Sequence, residues 1–180
     1  YRKFSEANDL GITMKENLLA DFRQKVASMK PDLLIFSVVE DAFLKAVRML
    51  EAIKDFEIPH ILGGVFPTAA PDRCMEFPVI RMIGQGEGER TILRLAEAIR
   101  NGLSLGNVPG TWYRDERGNI HKTPNDGLVN VNDVEPDFGL FEEKRFYRPM
   151  GGRIFKAIPV ETYRGCPYTC TFCNSPMQVT

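Results

Sequence analysis

Along the first hundred residues the apolar positions switch between two periods. Leu18, Leu19, Phe22, Val26 and Met29 fall at helical spacing behind Thr13-Met-Lys-Glu16, which has the form of a capping box, and Lys30-Pro31-Asp32 ends the run. Leu33-Leu-Ile-Phe-Ser-Val-Val39 is almost continuously apolar and short, which predicts a strand buried on both faces. Helical spacing returns over 40–55 through Phe43, Leu44, Val47, Leu50 and Ile53. Ile58-Pro-His-Ile-Leu62 predicts a second strand closed by Gly63-Gly64. Phe77-Pro-Val-Ile-Arg-Met-Ile83 predicts a third, closed by Gly84-Gln-Gly-Glu-Gly-Glu89. A helix from about Arg90 to Arg100 follows, with Asn101-Gly102 as its C-cap.

Strands alternating with helices across short loops imply an α/β fold, a partial doubly wound parallel sheet with right-handed crossovers. Beyond residue 103 the pattern changes. Gly110-Thr-Trp-Tyr-Arg114 and Asn119-Ile-His-Lys122 flank Asp115-Glu-Arg-Gly118, which predicts a small β-hairpin. Residues 123–150 contain Pro124, Pro136 and Pro149 and little periodicity, and are expected to be a linker. Arg153 to Tyr163 is a strand candidate leading into a cysteine-rich loop. The expected organisation is an α/β domain over 1–103, hairpin and linker over 104–150, and the start of a second domain over 151–180.

Composition narrows the function classes. Of 180 residues 43% are hydrophobic and 26% charged, the balance of a globular protein able to bury a core. The net charge of −1, from 23 basic and 24 acidic residues, gives no electrostatic footprint for nucleic acid. No apolar run reaches the length of a membrane span and no signal peptide opens the sequence. Only three strands are visible, the chain opens on Tyr1 and it stops at Thr180, so it is expected to be a piece of a longer protein. Three of the four cysteines lie within eight residues and Cys74 stands alone. That distribution is unlike a secreted disulfide scaffold and points to metal ligation in a reducing compartment, the cytoplasm.

Cys166-Pro-Tyr-Thr-Cys170-Thr-Phe-Cys173 is the strongest chemical signal. Three thiolates on a short loop cap three irons of a [4Fe–4S] cubane and leave the fourth open for a substrate or cosubstrate. Structural zinc wants a fourth ligand, and the nearest histidine upstream, His121, is 45 residues from Cys166, so a zinc site is the weaker alternative. A disulfide within the loop would strand one thiol. Cys74 suits a small buried hydrophobe, Trp112 and Tyr113 suit packing, and Gly165 suits a turn into the loop.

This motif resembles that of the radical S-adenosylmethionine superfamily, including an aromatic residue, Phe172, just before the last cysteine. The resemblance implies that the loop follows the first strand of a partial (β/α) barrel, here over Ile158 to Arg164. It further implies that the open iron binds S-adenosylmethionine, and that reduction yields a 5′-deoxyadenosyl radical that abstracts hydrogen from substrate. An electron donor of the flavodoxin or ferredoxin type is expected, with a small-molecule or peptide substrate whose identity the sequence does not carry. With most of the barrel beyond Thr180, the piece itself is expected to be inactive, and loop 165–176 is expected to have few packing partners.

Residues 31–100 resemble the cobalamin (B12)-binding, flavodoxin-like domain found ahead of the barrel in one branch of that superfamily. The resemblance rests on Ser37 ending one strand, Gly63-Gly64 after the next, and Gly86-Glu87-Gly88-Glu89 after the third, all at carboxyl ends where an open parallel sheet has its ligand crevice. It implies that Ser37 is placed to hydrogen-bond the nucleotide tail, and that the glycines admit a bulky ligand. A leucine at Gly64 is then expected to block the pocket and leave the sheet folded. No Asp-x-His-x-x-Gly is present, and His60, inside a strand, is expected to pack rather than ligate cobalt. The run from Gly84 departs from a dinucleotide fingerprint, and Glu87 and Glu89 would repel a pyrophosphate; they suit the helix dipole or a neutral part of the ligand. Three readings stand: a cobalamin-dependent radical enzyme that methylates, rearranges, cyclises or couples; a radical enzyme whose α/β domain lost cobalamin and serves docking; and a zinc-binding interaction protein.

Overall fold

In a computed structural model the described residues are 16–125, 127–162, 164–168 and 170–173. They belong to two compact units, one with the described residues of 17–129 and 165–173 and the other with residue 16 and those of 130–164. Among the described residues no helix is long and apolar enough to cross a membrane.

The larger unit alternates helix and strand through α1 (Leu18–Met29), β1 (Leu34–Ser37), α2 (Glu40–Glu51), β2 (His60–Gly63), α3 (Val65–Ala69), α4 (Pro71–Met75), β3 (Met82–Gly84) and α5 (Glu89–Arg100). It closes with β4 (Thr111–Arg114) and β5 (Ile120–Lys122). Asn17 caps α1 by accepting from the Ala20 amide, so the helix starts just past the expected Thr13–Glu16 box, whose Thr13 lies outside the described residues. Lys30 stops α1 in the left-handed region, at φ 47°.

The five strands lie in sequence order. β1, β2 and β3 are parallel, paired Leu34–His60 through Ser37–Gly63 and then Leu62–Ile83. β4 joins β3 antiparallel, Met82 opposite Tyr113, and β5 pairs with β4. The α/β sheet is therefore mixed, and the hairpin expected outside the domain forms its far edge. The alternation of Trp112 and Tyr113 explains this, since each packs on a different face: Trp112 against the core with Phe43, Leu50 and Leu62, and Tyr113 against the core with Met82 and Leu95. Arg114 fastens the join, donating to the carbonyls of Met75 and Ile80 while its amide donates to the Arg81 carbonyl at 2.7 Å.

Period-two alternation sorts the strands between these cores: Phe36, Leu62 and Ile83 face α1–α4, and Ile61 and Met82 face α5. Only the first core extends over β1, so Ile35 is 55% exposed and the strand expected to be buried on both faces is covered on one. The third strand is shorter than expected, because Phe77–Ile80 forms a turn closed by an Ile80 amide to Phe77 carbonyl bond of 3.0 Å. α3 and α4 fill a stretch that carried no evident period; each is five residues long, too short to show one.

In the smaller unit β6 (Tyr147–Met150) and β7 (Arg153–Lys156) form an antiparallel hairpin. Its two-residue turn is Gly151-Gly152, at φ 54° and 77°, both left-handed as a type I′ turn requires. The strand expected from Arg153 to Tyr163 thus stops at Lys156, where its partner strand ends. Among the described residues 157–162 there is no strand.

Candidate cofactor-binding site

The parallel order brings the carboxyl ends of β1, β2 and β3 to one edge of the sheet. Ser37 ends β1, is exposed, and sits in register with Gly63. The Val38 amide donates to the Gly63 carbonyl at 2.8 Å, and the Phe66 amide to the Val38 carbonyl at 3.2 Å, which lace the first two turns together.

The glycines at this edge serve different purposes. Gly64 stands at φ 99°, ψ −169°, a region almost closed to other residues. A Cβ there would lie 2.9 Å from the Val38 backbone nitrogen and 3.0 Å from its oxygen. Gly64 is thus required by the approach of β2's end to β1, and the expectation that Gly64→Leu leaves the sheet intact is overturned. Gly86, at φ 72°, is similar: its Cβ would meet Asn125 Nδ2 at 2.5 Å, and its amide already donates to Thr68 Oγ1 at 3.0 Å. At Gly63 a Cβ meets nothing within 4 Å. Of the glycines expected to clear space for a ligand, Gly63 is the one that faces open space.

The turn after β3 is anchored by the chain itself. The Gln85 amide donates to the Gly110 carbonyl at 2.9 Å and the Gly110 amide to the Pro124 carbonyl at 2.9 Å. The Glu87 carboxylate accepts from the Val129 amide, so it holds the segment that follows the hairpin. Glu89 opens α5, in the first turn where the helix dipole favours a carboxylate. Thr68 was not singled out by the sequence; its place three residues past Gly-Gly-Val was the only signal available.

His60 is committed to packing, as expected. Its Nε2 accepts from the Arg81 amide at 3.1 Å, which leaves Nδ1 to donate to the Ile58 carbonyl at 3.3 Å. Burial, aided by the nearby Arg81 charge, lowers its pKa, so the ring is neutral and neither nitrogen is offered to a metal.

The cysteine loop is built differently. Gly165, at φ 83°, turns the chain into it, and the Cys173 amide donates to the Cys170 carbonyl at 3.1 Å. Cys166 and Cys170 are exposed, Cys173 is half-buried, and none is in a disulfide. Phe172 is 89% exposed. Among the described residues no three metal-ligating side chains converge. The donor set suits an iron–sulfur cluster: three cysteines within eight residues, none in a disulfide. Cys74 takes no part; it is fully buried in the core, and burial pushes its thiol up to about 11.

No protein-family model matches the chain. It is 35% identical over 160 residues to the anaerobic magnesium-protoporphyrin IX monomethyl ester cyclase of Rubrivivax gelatinosus, an alignment covering 84% of this chain and 28% of that protein. It is 29% identical over 160 residues to the 4′-phospho-dehydrooxetanocin synthase of Priestia megaterium, covering 87% of this chain and 19% of that one. The chain therefore spans well under half the length of these curated relatives. Among solved structures it is similar to the radical S-adenosylmethionine methyltransferase TsrM of Kitasatospora setae with cobalamin and a [4Fe–4S] cluster bound. That match has a TM-score of 0.60 at 22% identity and covers 89% of this chain and 34% of that chain. It is also similar to the cobalamin-dependent radical enzyme OxsB with aqua-cobalamin and S-adenosylmethionine bound, with a TM-score of 0.52 at 23% identity, over 66% of this chain and 16% of that one. These likenesses establish the fold.

Proposed function

We propose that this chain, which belongs to the radical S-adenosylmethionine superfamily and to its branch with a cobalamin-binding-type α/β domain ahead of the cluster motif, is the cofactor-gathering part of a cobalamin-dependent radical enzyme. Cys166, Cys170 and Cys173 would hold a [4Fe–4S] cluster that serves S-adenosylmethionine. When bound, this set would supply reductive radical chemistry on S-adenosylmethionine, and cobalamin would supply methyl-transfer or ring-forming chemistry. The chain's own residues bind and shape. Gly165 gives the loop its entry turn, and Phe172 provides an aromatic wall beside the last thiol. Ser37 and Gly63 border the crevice and contact the cofactor. Gly64, Gly86 and Glu87 fix the turns around it.

The observation that carries the reading is the pairing, in one chain, of three reduced thiols on an eight-residue loop with a sheet edge whose Gly63 faces open space. The full-length protein, reconstituted anaerobically, is expected to take up about four irons per chain and, with added hydroxocobalamin, to retain about one cofactor after desalting. Cys170→Ala should lose most of the iron, and Gly63→Leu should lose cobalamin while keeping its iron. Stoichiometric zinc without iron uptake would overturn the cluster. A second reading has support of its own: Gly64 and Gly86 are explained by internal packing, as they would be in a docking module that binds no cobalamin. Iron uptake with no retention of cobalamin by the parent protein selects it.

A further inference from the structure

The β2–β3 ladder is short, with a single register pair, Leu62–Ile83, where β1 and β2 have four. Past that pair the Gly63-Gly64 turn and the Gly84–Gly88 turn diverge into different helices, α3 and α5. Thr68, in α3, stands across this gap. Its hydroxyl donates to the Gly64 carbonyl at 2.9 Å and accepts from the Gly86 amide at 3.0 Å. A hydroxyl can do both at once, because its one hydrogen and its lone pairs are separate.

The Gly64 carbonyl is itself pinned, since Gly64 lies against the backbone of Val38 and the Thr68 amide also donates to it, at 3.3 Å. Thr68 therefore refers the Gly86 turn to the end of β1 through one side chain. On its other flank the Gly86 turn is held by the hairpin region, through the Gly110 carbonyl and Asn125, whose Nδ2 donates to the Gln85 carbonyl at 3.4 Å. With the hydroxyl removed, the Gly86 amide loses its acceptor and the turn loses its tie to β2.

We propose that Thr68 is a positioning residue for the carboxyl-edge crevice: it touches no ligand, and fixes the distance between the two turns that border it. The proposal rests on the cobalamin reading for what the crevice holds, and on the two hydrogen bonds alone for the latch. The closest substitution in shape is Thr68→Val; Thr68→Ser keeps the oxygen. In the full-length protein two measurements separate the parts: hydrogen exchange of a peptide spanning 84–90, and the dissociation constant for hydroxocobalamin.

In the parent the Gly86 amide should exchange slowly, because it is bonded within the fold. Thr68→Val should speed exchange in this peptide and weaken cobalamin about tenfold, the size expected for losing a pair of neutral hydrogen bonds. Thr68→Ser should restore both. Fast exchange of Gly86 in the parent overturns the latch without recourse to any variant, which covers the case in which Thr68→Val does not fold. Unchanged exchange in a folded Thr68→Val also overturns it. Faster exchange with unchanged cobalamin affinity overturns the positioning role. If the parent retains no cobalamin at all, the reading of the crevice fails, and the exchange arm alone supports or overturns the latch.

Discussion

The turns at the carboxyl edge of the sheet and the cysteine loop supply the two halves of the proposed cofactor set, and they are held in opposite ways. At the edge the turns are laced by bonds within the chain: Val38 with Gly63, Thr68 with Gly64 and Gly86, Glu87 with the Val129 amide. Among the described residues of the loop a backbone bond from Cys173 to Cys170 closes a turn, while Cys166, Cys170, Tyr168 and Phe172 face solvent. A crevice that must admit a large rigid ligand is shaped in advance, which lowers the ordering cost of binding. A cluster loop can take its order from metal–thiolate bonds, whose binding energy is also folding energy.

The largest expected effect tests that contrast through the four thiols. Cys74 is fully buried with its pKa raised to about 11, so alkylation requires both an opening of the core and deprotonation. In the metal-free native protein at pH 8, peptide mass spectrometry should find Cys166 and Cys170 labelled first, then Cys173. Cys74 should be slower by a factor on the order of a thousand or more, since core opening costs most of a stability of about 5–15 kcal/mol. Loading the cluster should protect the three loop cysteines and leave Cys74 as it was. Labelling of Cys74 at the rate of Cys166 would mean the core is not the closed body described.

How far the sequence foretold these regions follows the same divide. The cysteine motif was conspicuous in the sequence because its chemistry is local: three thiols at that spacing suggest a ligand without reference to the rest of the fold. The elements α1, α2 and α5 were legible from a helical period sustained over twelve residues each. The sheet edge was legible in place and not in purpose. Gly64 is glycine because of the Val38 backbone, 26 positions away in sequence, and no local pattern reports such an approach; Gly86 is glycine because its turn takes φ 72°. The docking of β4 on β3 was hidden for a related reason. A hairpin signal says that two strands pair, but the third strand they join is chosen by Trp112 and Tyr113 finding a core on each face.

A middle-sized effect separates glycines that shape the edge from the one that leaves room. Gly64→Ala places a Cβ against the Val38 backbone in a conformation costing about 1–3 kcal/mol for a non-glycine residue, before any clash is relieved. Gly63→Ala meets nothing and should stay within about 0.5 kcal/mol of the parent. Denaturant unfolding of the two variants should therefore differ clearly in midpoint. Equal midpoints would show that the edge is not tightly packed, and would return Gly64 to the residues that clear space for a ligand.

The smallest expected effect concerns the far buttress of the Gly86 turn. The hairpin that supplies Gly110 and Asn125 is closed at its tip by Asp115. Its Oδ2 lies 2.8 Å from His121 Nε2, and its Oδ1 accepts from the Asn119 and Arg117 amides at 2.8 and 2.9 Å. The contact with His121, followed by those with Asn119 and Arg117, holds this carboxyl well below the usual carboxylate range. Because the folded-state pKa lies below the unfolded one, the native state binds the proton less readily than the unfolded chain. The stabilisation is thus complete above the unfolded value of about 4 and is lost as pH falls through the lower folded value. Asp115→Asn keeps an acceptor and removes the charge, so the parent should be the more stable protein at pH 7, by a small margin because the site faces solvent. As pH falls below about 4 the parent should lose stability faster than the variant until the two melting curves converge. Parallel curves across that range would remove Asp115 as the hairpin's clasp, and leave Thr68 and the Arg114 contacts to hold the sheet's far edge and the turn beside it.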